Sequence, residues 1–388
     1  MKLCYVLPQY YDDSAENFYH IANFLEQLGK KVQLYVVIER SNTEPDIKNA
    51  QEIYCLDSGQ KKLSKINRFY KLIRIYFVLY NQGVHVFFAR SSLTGVFPIM
   101  IANRLLNFNR AVIIFWSCGQ DIVPISLKPT HRNFNRIISK IIAWFSFKGI
   151  SYLATGPELM VDFYNTQYKI PKSKILTLYN DISLTRFEPI NAQNKSNLKQ
   201  KLLGSDRKVM LFVHTFNKSR GVDLLPSIAK LIKDRKENVL VLAIGRAGDY
   251  SSELNYQINE NHLEDYLINL GQIANKDIDK YYKIADLFLM PSRGEGFPRV
   301  LLEAMACACP TISFDVGGVA NILPPSIAQE LLIPVNDEER FIEESLNLIT
   351  NNSALEKLGS KSLERASDFS TDKIVDMYVN SFSSIDKK

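Results

Sequence analysis

One stretch in the C-terminal half, residues 285–318, constrains the fold more than any other part of the chain. Residues 285–290 form a short apolar run that ends at Pro291, which predicts a buried strand. Pro298 fits the first turn of a following helix, because its missing N–H would have no partner there, and Pro310 ends that helix. Residues 311–316 predict a second strand, closed by Gly317 and Gly318. The unit is therefore a strand, a loop, a helix and a strand.

The loop of this unit, residues 292–297, lies where parallel sheets bind ligands. In open α/β sheets, ligands occupy the crevice beyond the carboxyl ends of the strands. Free N–H groups at a helix start suit a phosphate or a sugar oxygen. Glu295 in the loop can hold sugar hydroxyls or face a developing positive charge. Glu303, further along the predicted helix, can accept two hydrogen bonds from a diol such as ribose.

The same residues also allow a simpler interpretation. Glu303 follows Arg299 by four residues, so the two can form an ordinary ion pair on a solvated helix face. Glu295 and Gly296 can be a turn and nothing more. Spacing alone leaves both interpretations open.

The order of residues in this stretch resembles a known signature. Glu-Gly-Phe-Pro-x-x-x-x-Glu-Ala-Met-Ala-Cys-x-x-Pro, followed by Asp-Val-Gly-Gly, is similar to the E-x7-E motif of retaining glycosyltransferases of family four. The resemblance covers nearly the full chain, with its specific motifs in residues 209–318. It implies an α/β fold of the GT-B class, with two Rossmann-like domains facing a cleft. It also implies transfer of a hexose from a nucleotide diphosphate sugar to a hydroxyl, with retention of configuration and without a metal.

The resemblance also implies roles for single residues. Glu295 would be the catalytic carboxylate, and Glu303 would bind the ribose. The loop after the first strand of the second domain supplies an arginine and a lysine for the donor phosphates in this family. Arg220 matches the second of these, whereas Thr215 stands where the arginine is expected. Lys218 or Arg246 would compensate for the missing charge. The expected donor-binding residues are Thr215, Lys218, Arg220, Ile273, Gly296, Phe297, Pro298, Arg299, Val300 and Glu303.

The acceptor side is expected in the first domain. The predicted strand at residues 111–116 runs into Ser117, Cys118, Gly119 and Gln120. The family often carries a histidine before this glycine, and Cys118 takes its place here. The loop at residues 9–15 also lacks the glycines that many family members have there.

Four segments are predicted along the chain. Residues 1–187 form the acceptor-binding domain, and residues 188–208, which are polar and rich in Asn and Lys, form an exposed linker. Residues 209–368 form the nucleotide-sugar domain. Residues 369–388 resemble the family's last helix, which crosses back to the first domain.

Charge is distributed unevenly between the two halves. The net charge is +6, but residues 1–190 carry 23 Lys and Arg against 14 Asp and Glu. Residues 61–80 combine six basic residues with aromatic and aliphatic ones, which predicts a basic amphipathic helix. Such a helix fits an anionic membrane surface or a lipid pyrophosphate. The alternative is a surface helix that packs its apolar side on its own domain. No nucleic-acid motif accompanies the charge, so no nucleic-acid partner is expected.

Composition excludes several other classes. A hydrophobic fraction of 46% with 23% charged residues is typical of a globular protein, and no signal peptide or membrane span is predicted. Five cysteines without a C-x-x-C pair favour neither zinc nor disulfides. Asp277-Ile278-Asp279 spells a D-x-D metal motif, but after Asn275 it predicts an acidic first turn of a helix. We therefore expect no metal and no cofactor besides the nucleotide sugar.

The function expected from these observations is synthesis of a bacterial surface polysaccharide, such as lipopolysaccharide or capsule. The donor is a nucleotide sugar, and the acceptor is a glycan or a lipid-linked sugar. The expected location is the cytoplasm, with peripheral attachment to the inner face of the membrane. Two alternatives stay open: a nucleotide-sugar epimerase of the same fold, and a binding-only subunit impaired at Thr215 and Cys118.

Overall fold

The structure is a computed structural model that describes residues 1–10, 19–56, 65–105, 111–117, 145 and 148–386. It divides the chain into two compact units. The first contains residues 1–179 and 372–388, and the second contains residues 180–371.

The described part of the first unit is built on a seven-stranded parallel sheet, in the order β3-β2-β1-β4-β5-β6-β7. Most of its strands are apolar runs, and β1 and β4 are almost wholly buried, as in a sheet covered on both faces. The order changes direction between β1 and β4. The strands are β1 (Lys2–Leu7), β2 (Gln33–Ile38), β3 (Ala50–Cys55), β4 (Val86–Arg90), β5 (Val112–Trp116), β6 (Tyr152–Thr155) and β7 (Ile175–Thr177).

The described helices of this unit include the predicted basic one. They are α1 (Tyr19–Gly29), α2 (Lys65–Asn81), α3 (Leu93–Leu105) and α4 (Glu158–Tyr168). Helix α2 buries Leu72, Tyr76 and Leu79 in the core of its own unit, as the alternative interpretation expected. Its other face exposes Ile66, Tyr70 and Val78 beside Lys71 and Arg74. Lys61 and Lys62 lie outside the described residues.

The last helix of the chain, Thr371–Asp386, packs in the first unit. The ring of Tyr378 lies 5.0 Å from that of Phe24 and 5.6 Å from that of Phe88. These aromatic contacts attach the C-terminal end of the chain to α1 and β4.

The second unit has a six-stranded parallel sheet in its described residues, in the order β10-β9-β8-β11-β12-β13. This order matches that of the first six strands of the other sheet, and it changes direction between β8 and β11. The strands are β8 (Lys208–Val213), β9 (Val239–Ile244), β10 (Leu267–Gly271), β11 (Leu287–Met290), β12 (Thr311–Phe314) and β13 (Leu332–Ile333).

The helices of the second unit precede, connect and follow these strands. They are α5 (Ala192–Leu203), α6 (Leu225–Arg235), α7 (Ser251–Glu260), α8 (Ile278–Ile284), α9 (Arg299–Ala306), α10 (Val319–Ile322), α11 (Ala328–Leu331), α12 (Glu338–Thr350) and α13 (Asn352–Ala366). Strand β11, helix α9 and strand β12 form the strand, loop, helix and strand predicted from the sequence. Pro298 is the N-cap of α9, one position before the predicted first turn.

The structure corrects the prediction of an exposed linker at residues 188–208. Helix α5 occupies most of it, capped by Asn191 and ended by Gly204 in a left-handed conformation. Its Lys195 and Lys199 lie 2.7 and 2.8 Å from the carboxylate of Asp286. A polar composition hid this packing, because lysines bury their aliphatic stems while their ammonium groups find a partner. The unit boundary therefore lies earlier, between residues 179 and 180.

The D-x-D sequence is confirmed as a helix start. Asp277 stands at the N-cap position of α8 without a side-chain cap and contacts Lys280, and Asp279 contacts Lys283 at 2.9 Å. Within the described ranges, no three His, Cys, Asp or Glu side chains are grouped so that they could hold a metal ion. No helix in those same ranges has the length and apolar character needed to cross a bilayer.

Candidate active site

Two loops meet at the point where the second sheet changes direction. Residues 214–221 follow β8, and residues 291–298 follow β11, its neighbour in the sheet. The N–H of Arg293 donates to the carbonyl of Ser219 at 3.0 Å. Gly221 has φ +77°, and an added Cβ would lie 2.1 Å from the carbonyl oxygen of Pro291. The two loops are therefore packed backbone against backbone, and only glycine fits at position 221.

A third segment, the glycine pair after β12, closes on the same loop. Gly317 has φ +51°, and an added Cβ would lie 1.8 Å from the carbonyl oxygen of Glu295. The N–H of Gly318 donates to the carbonyl of Gly296 at 3.1 Å. The two glycines after β12 thus fix the backbone that carries Glu295.

The carboxylate of Glu295 is nearly enclosed by this arrangement, with 8% of its side chain exposed. Its Oε1 lies 2.6 Å from Nη1 of Arg220 and 3.4 Å from Nε2 of His214. Burial would raise the pKa of this carboxyl, but the hydrogen bond from His214 and the charge of Arg220 outweigh burial and lower it. Glu295 is therefore ionised at neutral pH.

His214 is a site residue that the sequence analysis missed. Its ring is set by the backbone, since the N–H of Thr215 donates to Nδ1 at 2.8 Å. A lone histidine after an apolar strand carries no distinctive spacing. Its contact with a carboxylate 81 positions later depends on the tertiary fold.

Arg220 has hydrogen-bonding capacity beyond Glu295. Its Nη1 also donates to the carbonyl of Gly294 at 2.8 Å, so both hydrogens of that nitrogen have partners. A guanidinium has five N–H donors, and Nε and Nη2 supply the other three. Within the described residues, no hydrogen bond involves these three donors. Lys218, in the same loop, is exposed.

The conformation of this loop is held by Arg293, whose guanidinium the sequence did not single out. It donates to both carboxylate oxygens of Asp223, at 2.8 and 3.0 Å, and to the carbonyl of Lys218 at 2.6 Å. Bidentate pairs of this kind are among the more rigid side-chain contacts. Arg293 thus fixes the turn that carries Lys218 and Arg220.

Glu303 lies on α9 and is half-buried. Burial raises the pKa of the Tyr282 hydroxyl, and the nearby Glu303 carboxylate raises it further. The surface pair with Arg299 that the simpler interpretation allowed is replaced, because Nη1 of Arg299 lies 3.2 Å from Asp181. Arg299 is therefore engaged by Asp181, and the carboxylate of Glu303 lies beside the Tyr282 hydroxyl.

Two of the side chains expected to bind the donor make contacts within the second unit. The ring of Phe297 is buried and lies 5.7 Å from that of Phe369, and the guanidinium of Arg299 is paired with Asp181. Pro298 makes no side-chain cap, so the first N–H groups of α9, at Arg299 and Val300, remain at a positive helix end. Ile273, just beyond β10, is half-buried at the same edge of the sheet.

The expected acceptor side is described only in part. Ser117 follows β5 and is buried, and the hydroxyl of Tyr164 donates to its carbonyl at 3.3 Å. Cys118, Gly119 and Gln120 lie outside the described residues, as do residues 11–15 of the first loop.

Two buried charged residues of the first unit were not anticipated. Glu39 follows β2 and contacts the hydroxyl of Ser92, and the guanidinium of Arg90 lies 4.3 Å over the ring of Trp116. Both lie at the carboxyl edge of the first sheet. Single charges after apolar strands look like ordinary turn residues, so no pattern in the sequence distinguishes them.

Comparison with known families supports the identification made from the motifs. Residues 193–365 match the family model described as "Glycosyl transferases group 1". The chain is 25% identical over 333 residues to the UDP-Gal:alpha-D-GlcNAc-diphosphoundecaprenol alpha-1,3-galactosyltransferase of Escherichia coli, covering 82% of each chain. It is 26% identical to the N-acetyl-alpha-D-glucosaminyl L-malate synthase of Bacillus anthracis, over 54% of this chain and 53% of that protein. The chain spans about half the length of several other curated relatives that it matches.

Solved structures share the whole fold. Anabaena Alr3699/HepE in complex with UDP-glucose has a TM-score of 0.73 at 17% identity, covering 99% of this chain and 100% of that one. The apo form of the lipopolysaccharide outer core galactosyltransferase WaaB has a TM-score of 0.67 at 15% identity, over 99% of both chains. At these identities the likeness is one of fold. The fold class predicted from the sequence, two Rossmann-like domains of the GT-B class, is confirmed.

Proposed function

We propose that this chain, whose residues 193–365 match the family model of glycosyl transferases group 1, is a retaining hexosyltransferase that uses a nucleotide diphosphate sugar. The observation that carries the proposal is the ionised, enclosed carboxylate of Glu295 at the direction change of the second sheet. Arg220 contacts it at 2.6 Å and has further N–H donors for an anion.

The donor would bind across the two loops and the start of α9. The diphosphate suits the remaining donors of Arg220, the exposed ammonium of Lys218 and the uncapped N–H groups near Val300. Glu303 would accept hydrogen bonds from the ribose. Alr3699/HepE was solved with UDP and with UDP-glucose, so uridine nucleotides are the first donors to test.

In the transfer step, negative charge grows on the leaving diphosphate while positive charge grows at the anomeric carbon. Arg220 and the positive end of α9 would stabilise the first, and the Glu295 carboxylate would stabilise the second. These groups are held in place before the reaction, so they need little reorganisation. We propose that they supply this stabilisation without a divalent metal.

The acceptor would be a glycan or a lipid-linked sugar of a bacterial surface polysaccharide. The excess of basic residues in residues 1–190 supports an anionic acceptor or surface. The E. coli relative is named for an undecaprenol-linked acceptor. In the described part of α2, the exposed Lys71, Arg74 and Tyr70 form a face suited to anionic headgroups.

Membrane attachment is tested by flotation with anionic vesicles at low salt. Each basic side chain near such a surface contributes about 1 kcal/mol, so replacing Lys71 and Arg74 by Gln should weaken binding about 30-fold. The matched control replaces the exposed Lys230 and Lys236 of the second unit, with the same change in charge. Equal flotation of both variants would reject α2 as the attachment site.

The proposed activity is tested with UDP-glucose and UDP-galactose, first by calorimetry and then by product analysis. A transferase releases UDP and places the sugar on water or an added acceptor, with its anomeric configuration retained. An epimerase would instead interconvert the two nucleotide sugars and release no UDP. A binding-only subunit would bind UDP without consuming either donor.

A further inference from the structure

We propose that His214 is a positioning residue for Glu295, acting as a neutral hydrogen-bond donor through Nε2. This inference rests on the proposed function, because it gives a role to a side chain that touches the catalytic carboxylate and not the substrate.

The position of the His214 backbone is fixed from two sides. Its N–H donates to the carbonyl of Ile244, at the end of β9, at 3.0 Å. Its own carbonyl lies against Gly245, where an added Cβ would come within 1.7 Å. His214 therefore leaves the sheet at a defined point with little freedom in its main chain.

The hydrogen-bond partners of the ring assign its tautomer. The N–H of Thr215 donates to Nδ1 at 2.8 Å, which requires a lone pair on that nitrogen. The proton of the neutral ring must then be on Nε2, the atom that lies 3.4 Å from Oε1 of Glu295. A doubly protonated ring would lose the contact with Thr215. The geometry thus favours a neutral imidazole with its N–H directed at the carboxylate.

A neutral donor has a specific advantage at this position. Arg220 already supplies one positive charge to Glu295, and a second would neutralise the carboxylate further and reduce its attraction for a developing cation. An Nε2–H fixes the direction of the carboxylate and adds no net charge. Both contacts fall on Oε1 of the carboxylate.

The distance of 3.4 Å is longer than that of an ordinary N–H···O hydrogen bond, about 2.7–3.2 Å. Hydrogen bonds in active sites are often long before the substrate arrives and shorten in the complex. When the donor sugar binds, this contact would shorten, and the His214 ring and the Glu295 carboxylate would be held as one unit.

The first test needs no donor. Long-range proton–nitrogen NMR at pH 7.5 reports the tautomer of each of the five histidines, and the His214→Gln spectrum identifies the signals of residue 214. We expect a neutral ring protonated on Nε2. A ring protonated on Nδ1, or an imidazolium, would overturn the proposal.

The second test asks whether His214 acts through Glu295. With UDP-glucose as donor, His214→Ala should lower sugar release about 10- to 100-fold while UDP affinity stays within about threefold. His214→Gln keeps a side-chain N–H donor near the place of Nε2 and should recover most of the rate. In a Glu295→Gln background, His214→Ala should have no further effect, because the two act as a unit.

The outcomes separate the inference from the proposed function. Additive losses, or equal rates for His214→Ala and the wild type, would reject the positioning role. If Glu295→Gln turns over as fast as the wild type, the proposed function fails, and the NMR result still decides the state of His214.

Discussion

At the scale of single residues, two carboxylates of the second unit have different surroundings. Glu295 is enclosed by loops and contacted by Arg220, whereas Glu303 lies half-buried on α9, eight residues later. The enclosed one suits chemistry at the sugar carbon, and the helical one suits a ribose diol. This division follows from where each side chain lies.

Glu303→Ala should weaken UDP binding more than tenfold and leave the fold intact. A hydrogen bond to a charged group is worth about 1.5–3 kcal/mol, and the ribose would lose two of them. Calorimetry with UDP measures the effect, and Glu356→Ala, an exposed glutamate on α13, is the control. An unchanged affinity would return Glu303 to a role on the helix surface.

The motif spacing predicted the positions of Glu295 and Glu303, but not what surrounds them. Arg220 was expected at the phosphates, and its contact with Glu295 joins residues 75 positions apart. The contact of His214 with Glu295 likewise joins residues that are far apart in the sequence. Neither can be predicted from local patterns, because each depends on β8 and β11 being neighbours in the sheet.

At the scale of elements, the glycines of the loops determine how closely β8, β11 and β12 can bring their ends together. Gly317 combines φ +51° with a carbonyl where its Cβ would be. Gly294 lies in the loop next to Glu295, yet an added Cβ there would meet nothing within 4 Å.

Gly317→Ala should therefore lower the thermal unfolding midpoint by several degrees and displace Glu295. A left-handed conformation costs a non-glycine residue about 1–2 kcal/mol, and the clash adds to this. Gly294→Ala is the matched control and should unfold close to the wild type. Equal midpoints for the two variants would show that the loop can relax around position 317.

Helix α5 shows where composition misleads. Its Asn- and Lys-rich sequence predicted an exposed linker, whereas Lys199 is buried and contacts Asp286 at 2.8 Å. The pKa of Asp286 is lowered in the folded state because Lys195 and Lys199 together outweigh its burial.

Lys199→Ala should destabilise the second unit by about 1.5–3 kcal/mol, the value of one hydrogen bond to a charged group. The exposed Lys201 of the same helix is the control, and its replacement by Ala should change stability by less than about 0.5 kcal/mol. Because the pKa of Asp286 is lowered, the Lys199 contribution is present at neutral pH and is lost as the pH falls through that pKa. Denaturant unfolding at pH 7 and pH 3 checks both points, and equal stability of the two variants would restore the linker interpretation.

At the scale of the whole molecule, two sheets carry the same strand order in their first six strands, and each changes direction once. The alternation of apolar runs with helical segments predicted a parallel α/β fold, and the family resemblance implied two Rossmann-like domains. Strand β3 escaped prediction because its residues are polar and half-exposed at the sheet edge. The boundary between the domains was also predicted too late in the chain. Arg186, which was assigned to the first domain, forms a hydrogen bond with Asn275 of the second unit.

The central claim is that this second domain transfers a sugar by means of Glu295 and Arg220. It is tested by the rate of sugar release from UDP-glucose in the wild type, Glu295→Gln and Arg220→Ala, each assayed with EDTA present. We predict that the wild type keeps its rate with EDTA, and that each variant loses about 10²–10³ in turnover. UDP affinity should change less in Glu295→Gln than its turnover does. Variants as active as the wild type, or a wild type that stops with EDTA and recovers with manganese, would contradict the account.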